Sequence, residues 1–185
     1  MEIKGSAVKS IPEYVKNNYS DKYDLWLDSL PEEAKKLFSN PVLPSNWYPL
    51  QEGIVDPVTS IGDLFFEADM EKAAWETGRY SAEIALTGIY RFFVQAATPS
   101  FIIGRAGKIF STYYQPSEIK VVSKGDKSVT LHITSFDDPN ILVESRIGGW
   151  MEKGLEISGC KNVRVKIPKS LTRGDSVTEF HLQWE

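Results

Sequence analysis

Along the first two-thirds of the chain apolar residues recur every three or four positions, and after Pro116 they recur every second position. The first period is that of helices buried along one stripe, the second that of strands buried on one face. The pattern therefore predicts an α+β fold, a helical bundle of about six helices followed by a β-β-α-β-β antiparallel unit. Ser10-Ile11-Pro12-Glu13 has the form of a capping box, with Ser10 as N-cap, and Ile11, Tyr14, Val15 and Tyr19 follow at helical spacing. A second helix starts near Ser20-Asp21, where Tyr23, Trp26, Leu27 and Leu30 form one stripe. Pro31 opens a third, with Ala34, Leu37 and Phe38 inward. Asn40 to Pro57 is proline-rich and reads as a loop that Trp47 and Tyr48 pin to the core.

Val58, Ile61, Leu64, Phe65 and Ala68 suggest another helix, and Asp69 can cap the longest one, running to about Ala97. On that helix Gly78, Ala82 and Ala85 would let a second helix approach closely. Thr98-Pro99 starts a further helix with Phe101, Ile102, Ile109, Phe110 and Tyr113 as its apolar set. The strands begin at Ile119 to Ser123, turn at Lys124 to Lys127, and return with Val129, Leu131 and Ile133 inward. Asp138-Pro139 reads as the start of a helix through Leu142, Ile147, Trp150 and Met151 towards Gly159. Two closing strands follow, with Val163, Val165 and Ile167, then Phe180, Leu182 and Trp184, facing the core.

The chain has 185 residues, 42% of them hydrophobic, enough for one core, so a single domain spanning 1–185 is expected. The net charge of −4 leaves no basic footprint for phosphates and argues against nucleic acid as a partner. Cys160 is the single cysteine; no internal disulfide can form, and a buried or half-buried structural thiol in a reducing compartment is expected in preference to a redox sensor. The charged N-terminus does not resemble a signal peptide, and no apolar run reaches the roughly 18–20 residues of a membrane span. The expected location is cytoplasmic.

Recognisable catalytic and metal-binding motifs are missing, and the expectation is of a protein that is not an enzyme and holds no metal. The two histidines, His132 and His181, fall on the polar phase of alternating strands and should face away from the core. Gly104-Arg105-Ala106-Gly107-Lys108 lacks the spacing of a phosphate loop, and close helix packing explains its glycines better. Glu13, Glu67, Glu83 and Glu144 lie in helical segments as ordinary solvated positions, although any one turned inward would be notable.

Aromatic residues make up 12% of the chain and concentrate between Phe65 and Tyr114. One helical stripe does not need so many. They supply either a bulky core or a pocket for an apolar ligand, with Trp75, Tyr90, Phe93, Phe101 and Tyr113 as candidate ligand-binding residues. Phe92 and Phe93, and likewise Tyr113 and Tyr114, are adjacent, so on helices at least one of each pair must face a second surface.

Several short motifs resemble the haem–nitric-oxide/oxygen-binding (H-NOX) superfamily. They are Lys4-Gly5-Ser6, the segment Glu13 to Ser20, Trp26 and Leu30 in the next helix, Gly148-Gly149-Trp150, and the closing Phe180-His181-Leu182-Gln183-Trp184. Trp47-Tyr48-Pro49 and the final tryptophan bring the chain nearer to uncharacterised bacterial relatives of that superfamily. The fold is shared in outline with Golgi transport-complex subunits and 4-vinyl-reductase-type domains. The haem-binding members ligate iron through a histidine on a helix before the sheet and hold the propionates with Tyr-x-Ser-x-Arg. This chain has no histidine between Phe66 and Leu131 and no Tyr-x-Ser-x-Arg, its nearest string being Arg79-Tyr80-Ser81. The resemblance thus implies a sensor or interaction fold without haem and without another cofactor.

Two functions follow as expectations. The first is a non-catalytic small-molecule-binding or signalling domain that holds an apolar ligand among the helical aromatics. The second is a protein–protein interaction or scaffold subunit with a filled core, including a homodimer. An internal cavity lined by Tyr90, Phe93, Phe101 and Tyr113 would favour the first, a solid core with an exposed aromatic face the second.

Overall fold

Ile3 lies at the centre of a small sheet in the computed structural model, which describes residues 1–87 and 103–185. Strand β1 (Glu2–Lys4) is flanked by β2 (Trp47–Pro49) and β3 (Tyr114–Gln115), both antiparallel to it. The proline-rich stretch read as a loop therefore contains a strand. Ile3 pairs with Tyr48, and the Lys4 ammonium lies 4.6 Å over the Trp47 ring. Such a two-sided anchor lets a three-residue strand form where local sequence favours a turn.

From β1 the chain turns at once into α1 (Gly5–Val8) and α2 (Ser10–Asn18). Lys9 between them is itself helical and donates to the Gly5 carbonyl, so Ser10 is not an N-cap. Its hydroxyl donates back to the Ala7 carbonyl at 2.6 Å instead. In α3 (Tyr23–Ser29) Trp26 is fully buried, with its indole N–H on the Pro57 carbonyl at 3.2 Å and its ring edge-on to Phe38 of α4 (Glu32–Phe38). The stripes predicted for these helices face the core, with Tyr19, Tyr23, Leu27 and Leu37 half-buried at their margins and the rest buried. Helix α5 spans Asp56–Phe65, and α6 (Met70–Thr87) starts where the Asp69 carboxylate accepts from the Lys72 N–H at 2.9 Å, as its capping role requires. The predicted continuation of α6 to Ala97 and the helix start at Thr98-Pro99 lie outside the described residues. Beyond them comes α7 (Ala106–Ser111).

Strands β4 (Ser117–Gly125) and β5 (Ser128–Phe136) form a hairpin; helix α8 (Ile141–Ile157) follows, then β6 (Arg164–Lys169) and β7 (Thr178–Gln183). The sheet order is β4-β5-β7-β6, antiparallel throughout. Val129, Leu131, Ile133 and Leu182 are buried, as alternation predicts. Val165 and Trp184 are only half-buried, because β6 is an edge strand and Trp184 lies past the end of β7. The cap of α8 also differs from expectation. Asn140 accepts from the Leu142 N–H at 2.9 Å, whereas Asp138 binds the Met1 amino group at 2.8 Å.

Helix α8 is buried on nearly every side through its first half because it crosses α6 at very short range. A methyl group at Gly78 would lie 2.0 Å from the Arg146 carbonyl oxygen, and one at Gly149 would lie 2.1 Å from that of Trp75. Neither position tolerates a Cβ, and the reciprocal glycines set the helix spacing. Trp75 closes the crossing: its indole N–H donates to Glu152 at 2.9 Å, and Glu152 also pairs with Arg79. Among the described residues no helix is long and apolar enough to cross a membrane.

Candidate functional site

Helix α8 presents Ile147, Trp150, Met151 and Leu155 at i, i+3, i+4 and i+8 towards the sheet. The sheet answers with inward residues Ile119, Leu131 and Leu182. These two surfaces do not close on each other completely. A cavity of about 90 Å³ remains between them, bounded on a third side by Ile103 and by Ile109 and Phe110 of α7. Its walls are almost wholly apolar. Ala7 and Ser81 reach it from α1 and α6.

Tyr113 and Tyr114 both line this cavity although they are adjacent. The helical reading forbade that, but α7 ends at Ser111 and Tyr114 already belongs to β3. The chain turns there, so the rule of opposite faces does not apply. Burial pushes the Tyr114 phenol up, against the opposing pull of the positive charge of Arg146.

Of the candidate ligand-binding residues, Tyr113 stands in the cavity wall and Trp75 in the α6–α8 crossing. Tyr90, Phe93 and Phe101 lie outside the described residues, as does Phe92.

Arg146 is the residue that sequence reasoning passed over. It is 2% exposed and forms part of the cavity wall. Its guanidinium donates to the Ser10 hydroxyl at 3.1 Å and the Ala7 carbonyl at 3.3 Å. A usable signal was present: Leu142, Arg146 and Trp150 are four residues apart, which puts the arginine on an otherwise apolar stripe. Glu144, two residues earlier, is the inward glutamate. It is 3% exposed and accepts from Ser170 and Thr178, both at 2.5 Å, away from the cavity.

No family model matches the sequence, and no curated protein matches it either. Solved structures do match. An H-NOX protein from S. oneidensis, solved in the Fe(II)NO state, superposes with a TM-score of 0.75 over 99% of both chains, at 8% identity. The unliganded Fe(II) H-NOX protein from K. algicida gives 0.69 at 12% identity, over 99% of this chain and 97% of its own. A point mutant of T. tengcongensis H-NOX gives 0.67 at 10% identity, over 99% and 98%. This chain has an H-NOX-like fold. At such identities the likeness concerns the fold alone.

The residues present in this H-NOX-like fold do not fit a histidine-ligated haem. Both histidines of the chain sit on the sheet, outside the cavity wall. On β5, His132 Nε2 lies 2.7 Å from the Glu179 carboxylate of β7. His181 pairs in register with Thr130, two residues further along, so the two imidazoles are diagonal neighbours with separate partners. Among the described residues no three metal-ligating side chains gather. Cys160 is buried behind α8 beside Ser158, where burial raises the thiol above its ordinary range.

Proposed function

We infer that the chain is a non-catalytic ligand-binding domain of the sensing type, which takes a small apolar molecule into the cavity between α8 and the sheet and does so without haem. The observation that carries this reading is the cavity itself, walled by aliphatic and aromatic side chains from four parts of the fold. Small-molecule sites are mostly apolar concavities with a few polar anchors. The polar groups here suit anchoring more than chemistry: arginine keeps its proton at any physiological pH, and burial makes Tyr114 a reluctant acid. Its H-NOX-like neighbours include a protein solved with nitric oxide on iron, which makes ligand sensing a natural use of the fold.

The exposed edge strand β4 favours a second reading. Val121 and Val122 are 42% and 50% exposed there, an apolar edge of the kind that pairs with another protein or a second copy. One preparation separates the two. Protein purified from haem-supplied cells should show no stoichiometric Soret band and should take up xenon saturably by xenon NMR, since dry apolar cavities bind xenon. A stoichiometric Soret band would refute the haem-free reading. A preparation that admits no xenon and runs as a dimer by light scattering would favour the scaffold reading.

A further inference from the structure

Arginine is charged at any accessible pH, and removing such a charge from water is costly unless it is paired. At Arg146 the partners seen are neutral: the Ala7 carbonyl and the Ser10 hydroxyl. The Nε–H has no hydrogen-bond partner among the described residues. Nor does any carboxylate there lie within ion-pair distance of this side chain. Residues 88–102 contain neither aspartate nor glutamate. The chain does bury a carboxylate nearby, Glu144, yet two residues along a helix place it on the opposite face, with Ser170 and Thr178 donating to it. A buried cation and a buried anion are thus kept apart, and the cation forms part of the cavity wall.

We propose that the natural ligand is a small carboxylic acid whose carboxylate pairs with Arg146 while its apolar body fills the cavity. This rests on the ligand-binding reading above and names the ligand class. Among the described residues a single buried cation stands in an almost wholly apolar wall, and it balances a monoanion; a phosphate dianion would leave a charge uncompensated. A guanidinium fork also matches a carboxylate edge to edge. The size of the body follows from the volume. An engineered cavity of roughly 150 Å³ holds benzene, so about 90 Å³ suits a branched or cyclic body of about four carbons, and neither a long acyl chain nor a tetrapyrrole.

The test compares isovalerate with its neutral amide, isovaleramide, by calorimetry on the full chain, with xenon uptake as a control for the cavity. Wild type should bind the acid about tenfold or more tightly than the amide, the scale of a charge-assisted hydrogen bond. In Arg146→Met the preference should vanish while xenon still enters. Equal binding of acid and amide, or a preference that survives in Arg146→Met, would overturn the proposal. If xenon enters but neither compound binds, the carboxylate ligand is refuted and the cavity reading stands; if xenon is also excluded, both fall. Should Arg146→Met fail to fold, the wild-type ratio of acid to amide decides alone.

Discussion

Glu144 and Arg146 show how burial and charge are reconciled one residue at a time. Glu144 is met by two hydroxyls, whereas Arg146 has neutral oxygens and, among the described residues, one N–H without a partner. Helical spacing sets Arg146 on an apolar stripe but gives no such signal for Glu144, because a charged residue on a surface helix and one on a buried helix look the same until the helix is placed. The histidines were easier to read, since strand alternation puts them on the face opposite Leu131 and Leu182. On that face the hydrogen bond from His132, with Lys169 3.5 Å away, holds the Glu179 carboxylate below its ordinary range. A lowered carboxylate pKa adds stability that is present above the ordinary range and is lost as pH falls through the lowered value. The partly exposed setting limits the effect to less than about 1 kcal/mol. In urea denaturation, wild type should be the more stable at pH 7 by that margin, and its lead over Glu179→Gln should shrink as pH falls below the ordinary glutamate range. A gap of unchanged size at pH 3 would show that Glu179 stabilises by packing alone.

Among the elements, the α6–α8 crossing matters most, because it carries the cavity-facing stripe of α8. Small residues at Gly78, Ala82 and Ala85 signalled a close partner, and the partner is α8, with Gly149 answering from its side. The helix starts were less legible. Ser10 and Asp138 both have cap-forming side chains, but other partners claim them: the Ala7 carbonyl one turn back and the distant Arg146 for the first, the Met1 amino group for the second. The crossing predicts two opposite outcomes for one type of change. Gly78→Ala forces a Cβ to within 2.0 Å of a carbonyl oxygen and should cost about 2–3 kcal/mol by chemical denaturation. At Gly154 the nearest atoms, on Trp150 and Leu86, are 3.5 and 3.6 Å away, ordinary contact distances. Gly154→Ala should therefore stabilise, by up to about 1 kcal/mol of helix propensity. Equal losses at both positions would mean that the crossing does not set the helix spacing.

At the scale of the molecule, two periods and their order sufficed to place the chain among α+β folds, and short motifs pointed to the H-NOX-like arrangement that the superpositions bear out. A cavity is harder to read, since it depends on where surfaces fail to meet. Tyr113 was placed among its residues by the run of aromatics, while Arg146, Ile147 and Leu155 required the packing of α8 on the sheet. The central claim is that this space holds a ligand. Ile147→Phe, tested by chemical denaturation with and without xenon, addresses this most directly. The larger ring should fill the cavity: stability should be unchanged or higher, and the stabilisation that xenon is expected to give wild type should be lost. A loss of about 1–3 kcal/mol, the usual cost of overpacking a filled core, with no xenon effect on either protein, would contradict the account.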